Sequence, residues 1–116
     1  MARPLCLRGI LLVEGSVFES IIKNMREKVR ACDYVMTLHA EDEMDADGLS
    51  VYDVERCILV GAIVERQRDK VTTEAKYRVQ GAGAGDNWLE VVAKLSLTGK
   101  LVIITVYRIS EEELLQ

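Results

Sequence analysis

The chain has 116 residues, of which 49% are apolar and 29% charged, with a single proline. That balance predicts one soluble globular domain and excludes a disordered or collagen-like chain. No run approaches the ~20 apolar residues of a membrane-spanning helix. The uncharged stretch Gly9–Val13 is too short for a secretory core, so the expectation is a cytoplasmic protein without membrane contact.

A formal charge of −4 argues against bulk adhesion to nucleic acid. The charge is uneven. Residues 33–55 hold eight acids (Asp33, Glu41, Asp42, Glu43, Asp45, Asp47, Asp53 and Glu55) and no Lys or Arg, while residues 63–108 set eight cations against five acids. Such a split predicts a polarised surface. Cys6, Cys32 and Cys57 are too few and too scattered for a disulfide framework, and no CxxC occurs. Each reads as a small buried or half-buried apolar residue.

In chain order, residues 1–15 read as a lead-in, loose rather than an added strand. Ser16 and Glu19 have the spacing of a capping box. Phe18, Ile21, Ile22, Met25 and Val29 then recur every three or four residues and predict a helix to about Cys32. Leu38–Asp47 fits a second helix, with Thr37 as N-cap and Gly48 as stop. Ser50 and Asp53 open a third, whose inner face is Val51, Val54, Cys57 and Ile58. Gly61 ends it through the left-handed conformation that glycine allows.

After Gly61 the period falls to two. Ala62–Lys70 alternates, with Ile63, Glu65 and Gln67 on one face and Val64, Arg66 and Arg68 on the other. Ala75–Gln80 alternates as well. The loop Gly81–Asp86 reads as a floppy hairpin connection, since GAGAG lacks both a following helix and a GK[ST] for phosphate. Trp88–Leu95 and Lys100–Ile109 are joined by a tight turn at Thr98–Gly99, and the latter, nearly apolar throughout, reads as central and covered on both faces. The predicted architecture is α+β, with N-terminal helices on one face of a C-terminal antiparallel four-stranded sheet, in one domain over 16–110, followed by an acidic tail at 111–116.

His39 is the lone histidine, which excludes a zinc site with two or three imidazoles from one chain. Its partner at i+4, Glu43, reads as a helix-edge neighbour. No metal and no cofactor is expected. The remaining chemistry lies on the strands: Arg66, Arg68, Lys76, Arg78, Lys94, Thr105 and Tyr107. With simple hairpin pairing, the arginines and lysines form a cationic stripe on one face. RNA cleavage without metal needs a base for the 2′-hydroxyl, an acid for the 5′-oxygen and cations for the phosphate, and this set with His39 holds those types. Arginines and lysines on the wet face of a sheet are also routine.

Thr37-Leu38-His39-Ala40-Glu41-Asp42-Glu43-Met44, Gly48-Leu49-Ser50 and Asp53-Val54-Glu55 resemble the opening of a bacterial domain-of-unknown-function family that is similar to the BrnT and RelE toxins. Gly61-Ala62-Ile63-Val64-Glu65, Glu74-Ala75-Lys76-Tyr77, Val91-Val92-Ala93-Lys94 and Ile104-Thr105-Val106-Tyr107 extend the likeness over about residues 34–108. The resemblance implies a RelE-like fold and a metal-independent ribonuclease toxin held inactive by an antitoxin. It places the family histidine on His39, the basic sheet positions on Lys76 and Lys94, and the closing hydroxyls on Thr105 and Tyr107. The catalytic set is then His39, Lys76 and Tyr107, with Arg66, Arg68, Arg78, Lys94 and Thr105 binding RNA. The alternative is a noncatalytic interaction module on the same scaffold, whose acidic stretch Asp33–Glu55 meets a basic protein.

Overall fold

Helix α1 spans Val13–Arg30 in the computed structural model, which describes residues 13–68, 74–85 and 87–109. Of the expected loose lead-in over residues 1–15, Val13–Gly15 already belong to α1; residues 1–12, with Cys6, lie outside the described residues, as do the tail at 111–116, the last two residues of Ala62–Lys70 and Asp86 of the glycine loop. The apolar spacing behaves as read: Ile22, Met25 and Val29 are buried, with Phe18 and Ile21 packed beside them. Ser16 lies inside this helix rather than at its start. The S-x-x-E spacing also occurs within helices, and the backbone here was already helical at Val13.

The chain leaves α1 through Cys32, whose φ of 57° is left-handed. Cys32 is exposed, against the expectation of a buried residue, whereas Cys57 is buried. A short strand β1, Tyr34–Met36, follows. Helix α2, Leu38–Asp47, has the expected Thr37 N-cap, whose hydroxyl accepts from the amide of Ala40, and ends at Gly48 with φ 69°. Helix α3, Val51–Val60, starts at a complete Ser50/Asp53 capping box. It does not end by the left-handed route. Gly61 has φ −90°, and glycine is needed for space instead: a Cβ there would lie 2.3 Å from the Gln80 carbonyl oxygen and 2.4 Å from that of Cys57. The C-terminus of α3 presses directly on the sheet at this point.

Strands β2 (Ala62–Arg68), β3 (Ala75–Ala82), β4 (Trp88–Leu95) and β5 (Leu101–Ile109) form the expected antiparallel meander. Among the described residues the sheet has five strands, not four, in the order β1-β5-β4-β3-β2, because β1 pairs in parallel with Leu101–Ile103 of β5. That extra neighbour makes the start of β5 an interior strand and accounts for its apolar run. The described residues do not cover both of its faces, however. Val102, Ile104 and Tyr107 are only half-buried.

The three described helices and one face of the sheet share a single core, in which Met25, Val54, Cys57, Ile58, Val79, Leu89, Val91, Ile103 and Val106 are fully buried. Burial of this kind, at about 25 cal/mol per Å² of apolar surface, is the main force holding the layers together. None of the described helices is long and apolar enough to cross a membrane.

The free side of β5 beyond β1 is closed by α2. Glu43 accepts the Val106 amide at 2.9 Å and Asp47 accepts that of Arg108 at 3.0 Å, while the Thr37 hydroxyl donates to the Ile104 carbonyl. Carboxylates one helical turn apart thus stand in for a neighbouring strand, an edge protection built from side chains. The glycine loop is pinned in a similar way. Asp53, 8% exposed, accepts the amides of Ala84 at 2.8 Å and Gly85 at 3.4 Å, and a Cβ at Gly83 would lie 2.7 Å from its carboxylate. The expected floppy loop is a clasp between α3 and the β3–β4 hairpin.

Candidate functional site

The face of the sheet away from the helices carries the polar side chains of alternate strand positions. Register places Arg78 opposite Glu65 and Val92, Gln80 opposite Glu90, and Glu90 opposite Tyr107. Glu90 stands out within the apolar sequence of β4. It is 3% exposed, on a face where burial of a charge is costly unless it is fully paired.

Its partners converge from both neighbouring strands. Arg78 donates through Nε to Oε2 at 2.9 Å and through Nη2 to Oε1 at 3.0 Å, the two-pronged geometry that guanidinium and carboxylate form best. The Gln80 amide donates to Oε1 at 2.9 Å, and the Tyr107 hydroxyl donates to Oε2. Desolvation pushes the Glu90 carboxyl upward, but the hydrogen bonds from Arg78, Tyr107 and Gln80 outweigh it and hold the group below the ordinary carboxylate range. Glu90 is therefore ionised at neutral pH and anchors Arg78 and Tyr107 on the same oxygen.

The third guanidinium nitrogen, Nη1, faces outward to Glu65, whose carboxylate also accepts from Gln67 at 3.2 Å. Hydrogen bonds that Arg78 donates to Glu90 and then to Glu65 raise its pKa further, so its charge is permanent. Lys76 lies opposite Gln67 in register, and Thr105 lies opposite Val92. Lys94 is paired with Glu74 at 2.6 Å. Five of the expected residues, Lys76, Arg78, Lys94, Thr105 and Tyr107, thus share this face.

The other three do not join them. A β-bulge between Ile63 and Glu65 shifts the alternation of β2 by one residue. Glu65 and Gln67 turn to the open face, and Arg66, opposite the core residue Tyr77, turns with Arg68 to the helix side. The expected single stripe of cations is split across the sheet by that bulge. His39 stands on α2 at the outer edge of β5, its side chain 67% exposed and 3.3 Å from Glu43. Lys76 is two strands further in, about 10 Å by strand spacing alone. The geometry does not bring the imidazole to Lys76.

The acidic stretch is also differently employed than expected. Glu43, Asp47 and Asp53 hold backbone amides, Glu55 accepts from the Tyr34 hydroxyl, and Asp33 pairs with Lys28 and Lys100. Most of these carboxylates are therefore internal fastenings. On the helix side, a cleft of about 760 Å³ between α1 and the start of β2 is lined by Phe18, Ile22, Ile63 and the cations Lys23, Arg26 and Arg30. Arg26 is itself a fastening, donating to the carbonyls of Ile58 at 3.1 Å and Gly61 at 2.8 Å, at the negative end of α3.

Among the described residues, no group of three or more His, Cys, Asp or Glu is placed to hold a metal ion. Cys57 is unsuited to nucleophilic work: burial pushes its thiol up to about 12, and the sulfur sits against the carbonyls of Leu89 and Val79.

Among the protein-family models, that of the domain of unknown function DUF4258 matches residues 36–108. The chain belongs to the DUF4258 family. The DUF4258 match runs from the end of β1 to the penultimate residue of β5, so it contains both the Arg78–Glu90–Tyr107 cluster and the α2 edge closure. No curated protein and no solved structure gives a significant match.

Proposed function

We propose that the open sheet face of this DUF4258 domain is the active site of a metal-independent RNA endonuclease. It would be of the toxin kind implied by the BrnT and RelE resemblance, acting in the cytoplasm under the control of an antitoxin. The observation that carries this reading is the meeting of Arg78 and Tyr107 on one buried, ionised carboxylate, on the face that the described helices leave open. Burying that charge costs stability relative to apolar packing, so its retention suits a chemical task.

In this reading Arg78 and Lys76 take the scissile phosphate and stabilise the charge that develops on it. The Tyr107 oxygen accepts the proton of the 2′-hydroxyl as its own proton passes to Glu90. The freed 2′-oxygen attacks phosphorus, the bond to the 5′-oxygen breaks, and the proton returns from Glu90 through Tyr107 to that oxygen. The products are a 2′,3′-cyclic phosphate and a 5′-hydroxyl. Lys94 and Thr105 contact adjacent phosphates, while His39, Arg66 and Arg68 lie outside the bond-breaking step.

The test is cleavage of RNA by the purified protein in EDTA. Tyr107→Phe and Arg78→Lys should each lower the rate by about 10²-fold or more with unchanged circular dichroism, the usual size for a proton-transfer group or an oxyanion donor. His39→Ala should keep most activity. Intact RNA with the wild-type protein refutes the proposal, and an inactive His39→Ala alone moves the proton chemistry to α2. The noncatalytic alternative is favoured by one feature, that Arg78 and Lys94 already carry carboxylate partners. It expects intact RNA and capture of one defined partner.

A further inference from the structure

Arg78 is bound to a carboxylate on each of two sides, one buried and one exposed. Toward β4, Nε and Nη2 are clamped by Glu90, whose side chain is 4% exposed. Toward β2, Nη1 meets Glu65, whose side chain is 44% exposed. The first contact fixes the guanidinium in place. The second is a surface ion pair, of a class that contributes about 0–1 kcal/mol and opens readily.

Glu65 occupies its position because of the bulge beside Ile63, which brings it to the open face. There its Oε1 accepts from Arg78 Nη1 and from the Gln67 amide, with Lys76 adjacent to Gln67 in register. Directly opposed residues have Cβ atoms about 5 Å apart, within the reach of a lysine. A carboxylate oxygen thus fills a position toward which a guanidinium, an amide and an ammonium can all direct hydrogen bonds. Removing that carboxylate leaves the guanidinium still aimed, because Glu90 does not move with it.

We infer that Glu65 is an internal stand-in for an oxyanion, occupying a phosphate subsite formed by Arg78, Gln67 and Lys76 and keeping it closed until an external phosphate displaces it. The inference rests on the open face being the working face, and it adds an autoinhibitory contact and the ligand position to that reading. The subsite takes one phosphate group of a diester or monoester. Glu65 opposes binding by occupancy and by like charge together.

The experiment is titration of inorganic phosphate into the ¹⁵N-labelled wild-type protein and Glu65→Gln, following the amide resonances of Gln67, Lys76 and Arg78. The Glu65 side chain is nearly half exposed, so the glutamine variant should fold normally. Removal of a negative charge a few ångströms from the bound anion should tighten phosphate about tenfold, near the value expected for a partly solvated pair. Adding Lys76→Ala to Glu65→Gln should cancel most of that gain. Unchanged affinity in Glu65→Gln, or a gain that survives Lys76→Ala undiminished, overturns the inference. RNA cleavage reports separately: tighter phosphate with no cleavage would reject the endonuclease and keep the subsite, and cleavage without the phosphate gain would do the reverse.

Discussion

Replacing Glu90 with glutamine keeps the side-chain shape and removes the charge on which three strands converge. In the native fold this carboxylate receives two bonds from Arg78 and one each from Gln80 and Tyr107. Breaking a buried ion pair by removing one partner costs about 3–5 kcal/mol. The Arg78 side chain is 30% exposed and retains Glu65, which places the expected loss at the lower end, about 3 kcal/mol. For a domain of this size that is a fall in Tm of about 12 °C.

The pH dependence has a defined sign. The folded Glu90 carboxyl lies below its ordinary value of 4.5, so the charged pair is fully stabilising above pH 4.5 and is lost as the pH falls through the folded pKa. Urea unfolding of wild type and Glu90→Gln at pH 7 and at several values below 4.5 reads both quantities from the shift in midpoint at constant slope. Equal stability at pH 7, or a gap that widens in acid, refutes the view that an ionised Glu90 organises this face.

Other perturbations test the scaffold around the site. Asp53→Ala should cost about 2–3 kcal/mol in urea unfolding, from loss of a helix cap and of charge-assisted bonds to Ala84 and Gly85, and should speed hydrogen exchange at those two amides. Gly61→Ala places a methyl against the Gln80 and Cys57 carbonyls and should destabilise by about 2 kcal/mol or more through overpacking; a neutral thermal melt would show that α3 can retreat from the sheet. His39→Ala should change stability by less than about 1 kcal/mol, because its pairing with Glu43 is exposed.

Punctuation in the sequence was most informative where it acted locally. Thr37 and Gly48 bound α2, Ser50 with Asp53 opens α3, and the stripe from Phe18 to Val29 forms the inner face of α1. What escaped was non-local. Strand β1 has three residues, too few for an alternation, and its partner Leu101–Ile103 is more than sixty residues away. The bulge at Ile63/Glu65 leaves no composition mark, yet one inserted residue reverses every later position of β2, which is why Arg66 and Arg68 part from Lys76 and Arg78. The GAGAG loop looked unrestrained because its anchor, Asp53, lies in another element. Glu90 did carry a signal: a lone acid inside Trp88–Leu95, an otherwise apolar strand apart from Lys94, needs a partner, and Arg78 on the adjacent strand supplies it.

The most direct measurement is analysis of product ends after incubation of the protein, in EDTA, with an RNA oligonucleotide and with the same oligonucleotide bearing 2′-deoxy sugar at the cleaved position. Mass spectrometry should find a 2′,3′-cyclic phosphate and a 5′-hydroxyl from the first and no cleavage of the second. Scission of the 2′-deoxy strand, or no product from either in the presence of folded protein, would contradict the account.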